Sequence, residues 1–281
     1  MRAVRRVILY PFRVLRGMTR MVATLIKLRV TIWDFAVRDI AQRYRGSVFG
    51  LVLGFAQPFL MLTIYAVVFS LLIRSGRAND MTKIEWVMYL FCGLNFWWPI
   101  TEVFGSGPNI IWGRPNLVKR VVFPLEALSP SCTFAAFFQG MLGFAMYLLF
   151  TVALRHFFPW RVIALPLVMF PMVLLCFGLG WLLGAIGVFF RDMTRVTTSL
   201  ITAWFFLTPI VYPEKFIPYN YYQLLWFNPV AVFVRQLREI AFFNVWPNWL
   251  HLAYLTGICF FFAFACYRVH LRLRPAYADV L

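Results

Sequence analysis

VIALPLVMFPMVLLCFGLGWLLGAIGVFF, residues Val162 to Phe190, carries no charged side chain and is bounded by Arg161 and Arg191. A helix crosses ~30 Å of hydrocarbon with about 20 apolar residues, so this stretch is long enough on its own. Gly46 to Ile73 and Ala127 to Leu154 are likewise uncharged and end at Arg74 and Arg155. The pattern predicts an all-α, polytopic membrane protein. Composition agrees: 62% of residues are hydrophobic and 13% charged, where soluble domains have about half and about a quarter.

Working outward, six transmembrane helices are expected at about 50-73, 87-112, 128-154, 163-189, 195-212 and 249-267. The expected domains are residues 1-49, a cytoplasmic N-terminal region; 50-267, the transmembrane domain; and 268-281, a cytoplasmic tail. An even number of crossings puts both termini on one side. Of the 27 Lys and Arg, eleven precede Gly46, three lie between Arg114 and Arg120, two are Arg191 and Arg195, and three follow Tyr267. That excess places the termini in the cytoplasm by the positive-inside rule. The net charge of +17 is then mainly topological, with membrane lipids rather than nucleic acid as its counterpart.

In the N-terminal region Arg13, Arg16, Arg20, Thr24, Lys27 and Thr31 fall on one face of a helical wheel, with Leu15, Met18, Val22, Leu25 and Ile26 opposite. This is the pattern of an amphipathic interface helix. No signal-peptide cleavage pattern follows it. Between Pro213 and Pro247, prolines divide the chain into apolar pieces too short to span, so short re-entrant helices are expected over 213-247 before the last span. Tyr219, Tyr221, Tyr222, Trp226 and Phe227 there read as an aromatic belt or as a sugar-facing surface.

The second span is the least lipid-like. It carries Trp97, Trp98 and Glu102, and a carboxylate at membrane depth should face protein or water rather than lipid. Trp97, Trp98, Glu102, Trp204 and Tyr212 are the candidate substrate-path residues. The segment from Asn116 to Glu126 mixes basic and apolar side chains, which fits either a docking site or an ordinary cytoplasmic turn. The five cysteines lie in or beside apolar stretches and the three histidines are scattered, so neither a disulfide nor a metal site is expected. The carboxylates form no evident catalytic pair. A phosphate-binding G-x-x-x-x-G-K-[ST] loop is missing from the sequence, so ATP, if used, is bound by another polypeptide.

Several motifs then occur in order: Arg38-Asp39, Arg43-Tyr44-Arg45-Gly46-Ser47, Gln57-Pro58, Asn116-Leu117, Phe123-Pro124-Leu125-Glu126 and Gly187-Val188-Phe189-Phe190-Arg191-Asp192. Thr208-Pro209-Ile210-Val211-Tyr212-Pro213, Asn228-Pro229 and Tyr277-Ala278-Asp279-Val280-Leu281 continue the series. From about residue 38 onward the chain resembles the permease of bacterial ABC-2 type polysaccharide exporters, in the O-antigen, capsule and teichoic-acid branch. Leu53 stands where that family has tryptophan, and the basic N-terminal extension is longer than usual.

The resemblance implies a homodimer in the bacterial inner membrane, with two copies of a separate nucleotide-binding ATPase holding Mg-ATP. Its implied cargo is a lipid-linked glycan. Asn116, Leu117, Lys119, Arg120, Phe123, Pro124 and Glu126 are implied to contact the ATPase. Arg38, Asp39, Arg43, Tyr44 and Arg45 are implied to form a cytoplasmic gate at the interface, with 213-247 capping the outer exit. No cofactor is expected in this chain, which is a transport subunit and not an enzyme. The alternatives are an ABC-2 exporter of a drug or lipid, a membrane-embedded transferase and a passive channel.

Overall fold

The computed structural model describes residues 16–44, 51–72, 81–118, 123–212, 214, 218 and 223–280. All regular structure among them is helical. Helix α1 covers 16–27 and α2 Arg29–Tyr44. Leu28 N–H to Thr24 O and Ile32 N–H to Leu28 O, both 2.9 Å, join them into one rod. There follow α3 (Leu51–Leu72), α4 (Lys83–Ser106), α5 (Asn109–Trp112), α6 (Pro115–Val118) and α7 (Leu128–Arg155). The chain continues through α8 (Leu165–Phe189), α9 (Met193–Leu207), α10 (Pro229–Ala241) and α11 (Trp249–Val280). Single 3-10 turns at Leu125–Ala127, Trp160–Ala164 and Gln223–Phe227 lead into α7, α8 and α10.

Local chemistry sets the ends of these helices. Thr82 and Glu85 form a reciprocal capping box at the start of α4, with Thr82 N–H to the Glu85 carboxylate at 2.9 Å. This satisfies two otherwise orphaned donors. Asn228 caps α10, accepting from Val230 and Ala231 N–H at 3.1 and 3.4 Å with Pro229 at the first helical position. Helix α7 ends at His156, which takes a left-handed conformation.

Among the described residues, three helical segments are long and apolar enough to cross a membrane: Leu125–Arg155, Trp160–Phe189 and Trp249–Val280. Helices α4 and α9 depart from a simple spanning pattern. Helix α4 is enclosed by protein, with Trp86, Tyr89, Asn95, Trp97 and Ile100 among its buried positions. The stretch expected as one span, 87-112, breaks at Gly107-Pro108, because proline offers no backbone N–H, and α5 begins after it. Helix α9 has 15 residues, about 22 Å at 1.5 Å per residue. Helix α11 overruns the expected 249-267 and continues unbroken to Val280.

At the centre lies α8, with α11 packed along it and α7, α5 and α10 on its other sides. Small residues permit these approaches, as is usual where lipid supplies no hydrophobic drive between helices. Gly178 meets the Phe262 ring and Ala263 backbone of α11, and Gly187 meets the Pro108 backbone just before α5. Helices α4 and α2 lie against α7.

One apolar cluster fills the bundle, from Met88, Phe96 and Phe144 to Trp181 and Phe233. A second, smaller cluster at the α5–α6 end joins Ile110, Ile111, Leu125, Leu128, Val188 and Tyr277. All five cysteines are buried and free.

The α1–α2 rod has two apolar sides. Met21, Ile32 and Ala36 are buried, and Met18 and Leu25 pack on the main cluster. Val22, Ile26, Val30, Trp33 and Val37 form an exposed stripe at spacings of three and four. The sequence wheel places Val22 and Ile26 with Met18 and Leu25 on one face. The structure divides that set, because the bundle covers only part of so wide an apolar arc.

The tight α5–α8 approach yields a prediction. Gly187→Ala puts a Cβ into the Pro108 backbone and should destabilise the protein by about 1–3 kcal/mol. Gly257→Ala meets nothing within 4 Å and should be neutral or slightly stabilising, both read from thermal unfolding in detergent.

Candidate functional site

Ionic contacts gather at the two ends of the bundle. At the α5–α6 end, Arg114 grips both oxygens of Asp39, at 2.8 and 2.9 Å, so α2 is tied to the segment after α5. One turn along, Arg43 pairs with Glu102 of α4. Burial pulls the Arg43 guanidinium down, but the hydrogen bond and charge of Glu102 outweigh it and leave the pKa above its ordinary value. Tyr44 donates to the Gln139 carbonyl oxygen, and Gln139 Nε2 donates to Gly54 O at 2.7 Å, linking α2, α7 and α3. Burial pushes the Tyr44 hydroxyl up, which keeps it protonated as the donor.

Asp39, Gln42, Arg43, Glu102, Ser106, Arg114 and Cys132 line an open hollow of about 380 Å³ at this end. A neighbouring hollow of about 310 Å³ is lined by Phe35, Arg38, Asn116 and Leu117. Asn116 is exposed and Leu117 half-buried on α6. Phe123 packs on Phe35 with ring centroids 5.1 Å apart, and the Arg38 guanidinium lies 5.7 Å from the Phe35 ring. Pro124 precedes the 3-10 turn containing Glu126, whose buried carboxylate accepts from Arg274 at 2.5 Å. The residues expected as a gate, Arg38, Asp39, Arg43 and Tyr44, and those expected to meet an ATPase, Asn116, Leu117, Phe123, Pro124 and Glu126, therefore share one end of the molecule. Arg45, Lys119 and Arg120 lie outside the described residues.

The candidate path residues are not brought together as a set. Trp97 and Trp204 meet edge to face at 6.2 Å, with Phe205 and Phe104 beside them. Trp98 instead lines a small hollow of about 40 Å³ with Pro58, Asn95 and Gln139. Glu102 is held by Arg43, and Tyr212 sits at the opposite end, donating to Phe206 O at 2.8 Å. Tyr219, Tyr221 and Tyr222 are outside the described residues. Among the described residues, no three His, Cys, Asp or Glu side chains gather as metal ligands would.

At that opposite end α9 stops, and its last carbonyls each have a partner. Trp204 O accepts from Thr208 Oγ1 (2.8 Å), Phe205 O from Thr208 N–H (3.2 Å), Phe206 O from Tyr212 and Leu207 O from Asn228 Nδ2 (3.4 Å). Asn228 also accepts from Trp204 Nε1 at 3.0 Å. Beyond the helix, Pro209 O and Ile210 O accept from the buried Arg238 at 2.7 and 2.5 Å. Arg238 also donates to Tyr89 Oη at 2.9 Å and lies 3.7 Å from that ring's centroid. Arg235 pairs with Glu214 at 2.6 Å and Arg155 with Glu85 at 3.8 Å.

Sequence reasoning missed Arg114, Gln139, Arg238 and Arg274 as organising residues. Arg238 carried a signal, a charge within a short apolar helix, but its partners lie 28, 29 and 149 positions away.

The profile of the ABC-2 type transporters matches residues 31–242. The chain belongs to the ABC-2 type transporter family. The match runs from within α2 through α10, so it includes the clasped end, the α9 break and the buried arginine. The chain is 27% identical over 265 residues to an O-antigen export system permease protein of Myxococcus xanthus, covering 93% of this chain and 99% of that protein. A protein of the same description from Klebsiella pneumoniae is 26% identical over 249 residues, covering 87% and 92%. A polysialic acid transport protein of Escherichia coli is 22% identical over 248 residues, covering 85% and 93%. The similarity of this ABC-2 chain to the three thus covers 85–93% of it and 92–99% of them.

Arg238→Lys keeps the charge but replaces a fork of donors with a single ammonium, which cannot serve Tyr89, Pro209 and Ile210 in the same geometry. Leaving buried acceptors unpaired costs about 1–3 kcal/mol each. The variant should unfold at lower temperature in detergent, and Arg238→Met should be destabilised further.

Proposed function

We propose that this ABC-2 chain is the transmembrane subunit of an ATP-driven exporter that carries a lipid-linked polysaccharide, such as O-antigen or capsule, out of the cytoplasm across a bacterial inner membrane. It works as a homodimer with two copies of a separate ATPase, which binds Mg-ATP. The observation that carries this reading is the end-to-end similarity to O-antigen export permeases, 93% of this chain against 99% of the relative.

In this reading α3, α4, α7, α8, α9 and α11 are the six crossings, and α10 enters the outer leaflet and returns. The clustered Lys and Arg put both termini and the α5–α6 end in the cytoplasm. The exposed stripe from Val22 to Val37 meets acyl chains while Arg16, Arg20, Lys27 and Arg29 reach the headgroups, so the α1–α2 rod lies along the inner interface. Thr198, Ser199 and Thr202 are exposed on α9, and their hydroxyls turn back to their own helix at 2.8, 3.3 and 3.0 Å. Such a face suits the region between two copies better than bulk lipid.

A glycan cannot pass through hydrocarbon unaided, because an unpaired hydroxyl costs roughly 4 kcal/mol or more there. A protein-lined route and an energy source are both needed. ATPase closure against Asn116, Leu117, Lys119, Arg120, Phe123, Pro124 and Glu126 supplies the displacement. The clasp of Asp39 with Arg114 and Arg43 with Glu102 is what that displacement opens, letting α2 move from α4 and α5. The shift can be no larger than the ATPase's differential affinity for the two states supports. Of the path candidates, Trp97 and Trp204 act by packing α4 on α9, while Trp98, Glu102 and Tyr212 approach the cargo.

Deleting the gene in its host tests the function. Lipid-linked polymer should accumulate inside the cell with little on the surface, and the intact gene should restore the surface polymer. Unchanged surface polysaccharide would overturn the proposal.

A further inference from the structure

We infer that Arg274, on the final turns of α11, is a positioning residue that latches the 123–126 segment to the bundle and makes α11 the lever carrying ATPase motion to the outer end. The inference rests on the reading that the α6 region meets an ATPase.

The latch is built from both side chain and backbone. Arg274 Nη1 donates to Glu126 Oε1 at 2.5 Å, and its Nη2 donates to Phe123 O at 3.4 Å. The Glu126 side chain is only 7% exposed, and Arg274 is the cation paired with it among the described residues. Trp181 Nε1 of α8 donates to Glu126 O at 3.0 Å. Thus α11 holds the segment by its charge and α8 holds it by its main chain.

Beneath the latch, Tyr277 is fully buried in the cluster that includes Leu125, Leu128 and Val188, with its hydroxyl 3.2 Å from His270 Nδ1. Phe35 of α2 and Phe123 pack on the same cluster. An apolar contact can slide and repack, whereas a buried carboxylate separated from its counter-ion is left uncompensated. The ion pair is therefore the contact that prevents slip when the segment is pushed.

The push has somewhere to go. Helix α11 is 32 residues long, about 48 Å at 1.5 Å per residue, and lies along α8. Its far end is tied to the α10 region, where Glu239 accepts from Asn248 N–H at 3.3 Å and the Trp226 ring meets His251 at 4.4 Å. Glu126 and the α9–α10 knot are thereby joined by one continuous rod.

The test uses the chain with its ATPase in proteoliposomes loaded with the host's lipid-linked polymer, reading ATP hydrolysed per glycan exported. Arg274→Gln should still copurify with the ATPase and hydrolyse ATP within about twofold of the native rate, with export falling about tenfold or more. Arg274→Lys, which retains the ion pair, should keep the native ratio. Three results would overturn the latch: an Arg274→Gln variant that exports normally, one whose hydrolysis and export fall together, or an Arg274→Lys variant that uncouples like Arg274→Gln. A native complex that neither binds the ATPase nor exports glycan would overturn both this inference and the function it rests on. A native complex that does both, beside a fully active Arg274→Gln, would overturn the latch alone.

Discussion

The last four carbonyls of an α-helix find no partner within it. That constraint explains why so much of this molecule's chemistry converges on the end of α9. Thr208, Tyr212 and Asn228 take the carbonyls from Trp204 to Leu207, and Arg238 takes the next two that need a partner. In doing so they fix where the chain turns, where α10 begins and how α10 sits against Tyr89 of α4. A short helix and its cap thus hold three elements in register, and the proline in each of Thr208-Pro209 and Asn228-Pro229 marks the place where a backbone donor is missing.

The other end is organised on a different principle. There the bonds join formal charges, Asp39 with Arg114, Arg43 with Glu102 and Glu126 with Arg274, and most are partly exposed. The partly exposed pairs of Asp39 with Arg114 and Arg43 with Glu102 contribute modestly to stability and can be remade in another arrangement at small cost, whereas the buried Glu126 carboxylate is costly to part from Arg274. The α9–α10 end is thus held mainly by hydrogen bonds to backbone carbonyls, and the α5–α6 end mainly by ion pairs.

The helical class was legible because uncharged stretches such as Val162 to Phe190 admit no other reading, and the Thr82 and Asn228 caps follow from local sequence. The break at Gly107-Pro108 was written in the proline, although an expected span was drawn across it. The continuation of α11 past Tyr267 was obscured by Arg268, Arg272 and Arg274, which read as a tail because charge ends a hydropathy pattern without ending a helix. At the candidate site the motifs pick out two segments, around Arg38 to Tyr44 and Asn116 to Glu126, and the fold places their described residues at one end. Their pairing was hidden, since Arg114 meets Asp39 across 75 positions and Arg274 meets Glu126 across 148. The wheel of α1 misjudged its apolar side because the periodicity of one helix cannot tell two different apolar neighbours apart.

The burial of every cysteine has a practical consequence. Cys92, Cys176, Cys259 and Cys266 are buried away from any hollow described above, while the buried Cys132 borders the open one beside Ser106, and a thiol reacts in proportion to its exposure and its thiolate fraction. Polar maleimides applied to intact cells or to inverted vesicles should therefore find little on the native chain beyond Cys132. A single cysteine placed on an exposed loop would then report its own side of the membrane against a dark background once Cys132 is replaced, with the other four left where nature put them.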